Sequence, residues 1–506
     1  MKIAIFSFLI FVFTALQVFF WIPSDVFFLQ DLLYLPSVWK DISTDHGNLL
    51  DWSFTPAPYF FPDMVLYFLF QTILPFSWSQ NAYLISIFQI FFFFGSVYYL
   101  FSILLEDKIS KGDMKRWDIL IVISILFSIY LLIIPIFRPF IVVYLLSEHF
   151  GAFWISILCL ALVLKKDSKL QFRILLLLIF CITISDRMFF ILFVGPVVAT
   201  SFFVKTFWKR KELILILSSA ILALIFYSLL KLKIKIEPTH KAPLLFSVAV
   251  FVQNFLNYFF LRDFLFFLLA PVVLNISLAF QFFKKKSKGK LTSHFSETYS
   301  FFGIYSLFVV LFSFATPVLF GLYVDEYSFR YCVYGLVLPF LSLGYYILYL
   351  KKSSSTLEER YWVFSKDTIS LLFSVSIFGL LLYTTPKDFW NIVSSKWNFV
   401  PEDTQCLDRN AEIFPTKFGI SDYWNSKNHH LFSQKGFQVH QVDYKNLSPA
   451  FVLNNKTWYS RDAKYSFIII DHLPQEKILE KFGKPTRTLD CAGKMIWIYQ
   501  NPFRVE

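Results

Sequence analysis

Residues 1–63 read MKIAIFSFLIFVFTALQVFFWIPSDVFFLQDLLYLPSVWKDISTDHGNLLDWSFTPAPYFFPD, and this stretch decides the fold. It opens with an apolar run of about 20 residues, the length a helix needs to cross a hydrocarbon core. A single Lys2 precedes the run and no small-x-small cleavage site follows Phe20, so a retained helix is expected rather than a cleaved signal. From 29 to 42 the apolar residues Leu32, Leu35, Val38, Trp39 and Ile42 recur at helical spacing. That spacing predicts a second helix lying along the membrane face, with Asp31 in its first turn. Pro36 is expected to kink it or stop it early.

The rest of the chain extends this reading. Of 506 residues 57% are hydrophobic and 16% charged, with 67 Phe and a mean hydropathy of +0.58. Soluble domains carry about 25% charged residues, so a soluble enzyme is excluded, and so much apolar sequence also excludes disorder. Five cysteines exclude a disulfide-built scaffold. Candidate spans fall near 3–22, 82–105, 118–137, 148–164, 173–184, 188–204, 213–230, 261–283, 298–320, 331–350 and 368–384. The stretches 62–75 and 246–260 are read as shorter or interfacial helices. The predicted fold class is therefore an α-helical polytopic membrane protein with roughly eleven transmembrane helices.

Lys and Arg set the orientation. One set of alternate loops carries 21 of them and the opposite set 8. The first set is assigned to the cytoplasm, which puts the N-terminus inside and everything after 384 outside. The net charge of +12 is read as this bias and not as a nucleic-acid signal. Residues 1–389 are expected to form the transmembrane domain, including a first outer loop at 23–80. Residues 390–506, with mixed charge and short apolar runs broken by Gly and Pro, are expected to form a small extracytoplasmic α/β or α+β domain. Cys406 and Cys491 lie near its two ends, where a disulfide is expected over two free thiols. It would join the domain's first segment to its last strand.

There is no Walker A loop, G-x-G-x-x-G, C-x-x-C or H-E-x-x-H, so ATP-driven pumping and redox chemistry have no support. The informative residues are charges at outer ends of apolar segments: Asp31, Asp63, Glu148-His149, Asp186-Arg187, Arg262-Asp263, and Asp325-Glu326 with Arg330-Tyr331. Any one pair could be an interfacial ion pair or a helix end, and Asp31 equally suits the positive end of a helix dipole. Together they would line an outward cavity. Arginines hold phosphate oxygens in a planar, two-pronged way, and a carboxylate can serve an acid/base step.

With these residues in place, the sequence resembles the GT-C membrane glycosyltransferases, among them the protein mannosyltransferases and the aminoarabinose transferase of lipid A. The matching features are Gln30-Asp31-Leu-Leu-Tyr, Pro58-Tyr-Phe-Phe-Pro-Asp63 and Arg330-Tyr331 at the start of a late span. The tail is similar to the outer domain of a bacterial branch through Phe418-Gly-Ile-Ser-Asp-Tyr-Trp424, Asn454-Asn-Lys-Thr-Trp458, Phe482-Gly-Lys-Pro485 and Cys491-Ala-Gly-Lys-Met-Ile-Trp-Ile-Tyr499. The resemblance implies a multi-pass protein of the bacterial cytoplasmic (inner) membrane that takes a polyprenyl-phosphate sugar donor and an extracytoplasmic glycan, lipid or protein acceptor. Asp31 would be the general base. Arg330 with Tyr331, and Arg187 or Arg262, would hold the donor phosphate, while Asp63, Glu148, His149 and Asp186 would contact substrate. Many members carry a second acidic residue directly after the Asp, where this chain has Leu32. The resemblance therefore leaves a divalent metal, Mg or Mn, neither required nor excluded. A transporter or lipid-linked-glycan flippase, or a non-catalytic assembly protein, are the alternatives. Transporters often show two similar halves, and none is found here.

Overall fold

The computed structural model describes residues 1–112, 114–133, 138–165, 168–204, 210–238, 241–261, 271–273, 275–276, 294–349, 374–379, 387–459 and 463–505. The helical part runs α1 (Lys2–Trp21), α2 (Gln30–Ser43), α3 (Val65–Ile73), α4 (Trp78–Leu104), α5 (Arg116–Ile133), α6 (Phe150–Lys165), α7 (Lys169–Ser185), α8 (Gly195–Phe203), α9 (Arg210–Leu230), α10 (Leu244–Leu261), α11 (His294–Leu319) and α12 (Arg330–Tyr349). Among the described residues, five helices are long and apolar enough to cross a membrane: Lys2–Trp21, Trp78–Leu104, Arg116–Ile133, Lys211–Leu230 and Phe301–Leu319. The expected span 173–184 lies within α7, and residues 331–349 of the span expected at 331–350 lie within α12. The one expected at 188–204 is interrupted by a wide turn at Phe190–Val194 before α8. Those at 261–283 and 368–384 fall largely outside the described residues.

These helices are apolar on more than one face. α1 packs on α5, α4 on α6, α7 on α9 and α11 on α12, around one continuous apolar core. Ile214, Leu215, Ile221, Leu222, Ile225 and Leu229 of α9 remain exposed. An outward face of that composition suits lipid and not water.

In α2, Leu32, Leu33, Leu35 and Val38 are buried. Pro36 does not end the helix, which continues to Ser43. Proline removes one backbone donor, but the burial of these residues holds the helix through it. A short parallel pair, β1 (Ser53–Phe54) with β2 (Lys235–Ile236), ties the first loop to the segment after α9.

The C-terminal unit contains α13 (Phe389–Trp397), α14 (Glu402–Arg409), α15 (Tyr423–Phe432) and α16 (Gln475–Phe482) with strands β3 (Phe418–Ser421), β4 (Gln438–Gln441), β5 (Tyr465–Ile469), β6 (Arg487–Cys491) and β7 (Lys494–Phe503). The strands form one sheet in the order β4-β3-β5-β7-β6, with β3, β4 and β5 parallel and the last two antiparallel. Alternate residues feed two cores: Phe467, Ile469, Ile496 and Ile498 on one face, Ile468, Trp497 and Tyr499 on the other. This is the period-two pattern of a sheet covered on both sides. A disulfide joins Cys406 in α14 to Cys491 at the end of β6. It therefore reaches the penultimate strand, at the sheet edge, and not the last strand, because β7 turns inward beside β5.

The unit is seated on α2. The buried Asp41 carboxylate accepts from Trp52 Nε1 (2.7 Å), Asn455 Nδ2 (2.7 Å) and Trp458 Nε1 (2.8 Å). Gln30 Nε2 donates to the Trp424 carbonyl, and Lys40 Nζ to that of His430. Gly47 is required here, since a Cβ at that position would lie 2.2 Å from Asp41 Oδ2.

Candidate active site

Several segments converge on a cavity of about 650 Å³. Asp31, in the first turn of α2, contributes a carboxylate. The turn before α6 contributes Ser147, Glu148 and His149, and the turn after α7 contributes Asp186 and Arg187. Arg330 and Tyr331 enter from the first turn of α12, and Lys241 precedes α10. Ile191, Leu224, Phe320 and Leu322 supply apolar wall.

Glu148 and His149, adjacent in sequence, meet different partners. Arg330 Nη1 lies 3.4 Å from Glu148 Oε1 and 3.9 Å from Asp31 Oδ2, so one guanidinium serves two carboxylates. The buried Arg330 Nε has no hydrogen-bond partner among the described residues. His149 Nδ1 lies 2.8 Å from Asp186 Oδ2. A carboxylate acceptor there places a proton on Nδ1, and Nε2 lies 3.4 Å from the Tyr59 hydroxyl. Asp186 Oδ1 is held by the Met188 backbone N–H at 2.9 Å. The Arg187 guanidinium sits over the Tyr227 ring, 5.4 Å from its centroid. Tyr334 donates to the Glu148 carbonyl.

Backbone strain concentrates on the same walls. Tyr59, Ser147 and His149 have φ of 55°, 61° and 65°, a left-handed conformation costing roughly 1–2 kcal/mol for a residue with a Cβ. Such strain persists where surrounding structure over-determines it. Here it turns the Glu148 and His149 side chains toward different partners.

Not every expected residue reaches the cavity. Asp63 is buried behind it, accepting from Gln89 Nε2 at 2.7 Å, and packs against Gly151, where a Cβ would lie 2.9 Å from Asp63 Oδ2. Asp325 caps the short turn Glu326–Phe329 by accepting from Ser328 N at 2.9 Å, which aims α12 and its Arg330. Arg262 and Asp263 lie outside the described residues.

The C-terminal unit contributes what the sequence reading missed. Tyr423 donates its hydroxyl to Asp31 Oδ1. Burial, reinforced by the Asp31 charge, holds this phenol well above its ordinary range. Lys427 is buried with its Nζ 4.4 Å from the Tyr423 ring centroid. Burial pushes Lys427 down to about 7, with Asp31 opposing. Tyr423 lies within the stretch Phe418-Gly-Ile-Ser-Asp-Tyr-Trp424 of the tail. Asn455 and Trp458, within the stretch Asn454-Asn-Lys-Thr-Trp458, bond to Asp41, while Trp424 is exposed.

The donor set around Asp31 does not fit a divalent metal. Arg330 already stands between Asp31 and Glu148 as their shared cation, and no second carboxylate follows Asp31. Asp422, Asp471 and His472 bring ligand atoms within 4.8 Å of one another, but Asp422 is engaged in capping α15.

No protein-family model matches the sequence, and no curated protein matches it. Among solved structures, the chain is similar to the crystal structure of the Archaeoglobus fulgidus oligosaccharyltransferase in complex with zinc and sulfate. The identity is 12% and the TM-score 0.46, over 91% of this chain and 67% of that chain.

Proposed function

We propose that the protein is an integral membrane glycosyltransferase of the GT-C type, transferring a sugar from a polyprenyl-phosphate donor to an extracytoplasmic acceptor hydroxyl. The observation that carries this reading is a carboxylate and a guanidinium, Asp31 and Arg330, side by side on one cavity wall that is otherwise largely apolar. Asp31 takes the acceptor's proton as the new bond from its oxygen to the sugar's anomeric carbon forms. An alcohol is too weak an acid to ionise first, so base and bond formation must coincide. The bond from the anomeric carbon to the phosphate oxygen breaks, and polyprenyl phosphate leaves with that electron pair. Arg330, with Arg187 and Lys241 on the same walls, stabilises the departing charge. The apolar wall takes the start of the prenyl chain.

Glu148 keeps Arg330 in place, and the His149–Asp186 pair offers Nε2 for a hydrogen bond with a sugar hydroxyl. The test is a mass-spectrometric profile of surface glycans and glycolipids in a strain lacking the gene, against the same strain rescued. Loss of one defined sugar supports the reading; identical profiles contradict it.

A further inference from the structure

α15 is anchored at its start: Asp422 Oδ1 accepts from Trp424 N at 2.6 Å and Asn425 N at 3.2 Å. This fixes Tyr423 in the first turn, facing α2, where its hydroxyl donates to Asp31 Oδ1. One turn further along, at the i+4 position, Lys427 lies under the ring. Lys427 is 2% exposed and its Nζ has no hydrogen-bond partner among the described residues. Burying an amine in that way is unfavourable, and a Leu or Met would fill the space without the penalty. What an amine adds is a cation against the Tyr423 ring and positive charge toward Asp31.

Asp31 thus has one oxygen committed to a hydrogen bond and the other in a longer ion pair. Oδ1 accepts from Tyr423, while Oδ2 faces Arg330 across 3.9 Å on the cavity wall. A first-turn Asp with no such partner would rotate about its side-chain bonds and present either oxygen.

We propose that Tyr423, supported by Lys427, is a positioning residue for transfer: it holds Asp31 Oδ1 so that Oδ2 meets the acceptor hydroxyl, making the C-terminal unit part of the catalytic centre. This rests on Asp31 being the base of a sugar transfer. Small displacements of a reacting group lower turnover more than they lower donor binding.

The experiment uses membranes containing the full chain, assayed for the product defined by comparing wild type with Asp31→Asn. Tyr423→Phe keeps the ring and removes only the hydroxyl. It is expected to lower kcat about tenfold while the donor KM stays within about twofold and the melting temperature is unchanged. Wild-type kcat in this variant, or a change in KM alone, overturns the proposal. If Tyr423→Phe fails to accumulate, Lys427→Met gives the second reading: a fall in kcat at constant KM is expected, and an unchanged kcat overturns it. Retained transfer in Asp31→Asn would instead remove the underlying function, so the two failures are told apart.

Discussion

Arg330 Nη1 lies 3.4 Å from Glu148 Oε1, joining residues 182 positions apart at the wall of the cavity. The Glu148 side chain is 7% exposed and that of Arg330 33%. Removing the cation strands a nearly buried carboxylate, which costs about 3–5 kcal/mol for fully buried pairs. With one partner a third exposed, Arg330→Met is expected to cost about 2 kcal/mol. Adding Glu148→Gln should restore most of that stability in thermal melts of the purified protein, while transfer stays lost. A double variant that melts no higher than Arg330→Met would show that the pair does not hold the wall.

Asp41 joins the two parts of the molecule through three donors, of which Trp52 and Asn455 are buried. Asp41→Ala leaves Trp52, Asn455 and Trp458 unsatisfied, at about 1–3 kcal/mol for each group that water cannot reach. The expected outcome is faster proteolysis within 390–506 together with reduced transfer, because α15 loses its seat on α2. Unchanged proteolysis would contradict the assigned role.

Three histidines of the C-terminal unit are buried and held neutral. Burial pushes His429 down to about 4 and His440 to about 3, and holds His430 well below its usual range. His429 also faces Asp403, Asp408 and Lys494; His430 faces Lys40, Lys427, His440 and Asp45. In the unfolded chain each histidine titrates near about 6.5. Below that pH the unfolded state binds more protons, so stability is full above about 6.5 and falls as the pH drops toward 4. Melting temperature should therefore decline from pH 6.5 to 4, and His440→Phe should flatten the decline. An equal decline in that variant would contradict this assignment for His440.

How much of this was legible in the sequence depends on distance along the chain. Asp31, Glu148, His149, Asp186, Arg187, Arg330 and Tyr331 interrupt apolar stretches and could be picked out one by one. Their pairing could not. Glu148 and His149 look like a local pair, yet left-handed turns at Ser147 and His149 send them to Arg330 and Asp186. Asp63 and Asp325 carry the same signal but serve packing and capping. The apolar stretches at 465–469 and 495–499 form strands, whereas the order that puts β7 between β5 and β6 has no local signature. Tyr423 meets Asp31 across 392 residues, and no periodicity reports such a contact.

The most direct measurement compares a deletion strain rescued by the wild-type gene with one rescued by Asp31→Asn, at matched protein levels. Surface glycans and glycolipids are profiled by mass spectrometry. Asn keeps the size of Asp and still accepts from Tyr423, but it cannot take a proton from a hydroxyl at neutral pH. The account predicts that one defined sugar disappears in the Asp31→Asn strain while the protein's abundance and melting temperature are retained. Full restoration of the glycan profile by Asp31→Asn would contradict it.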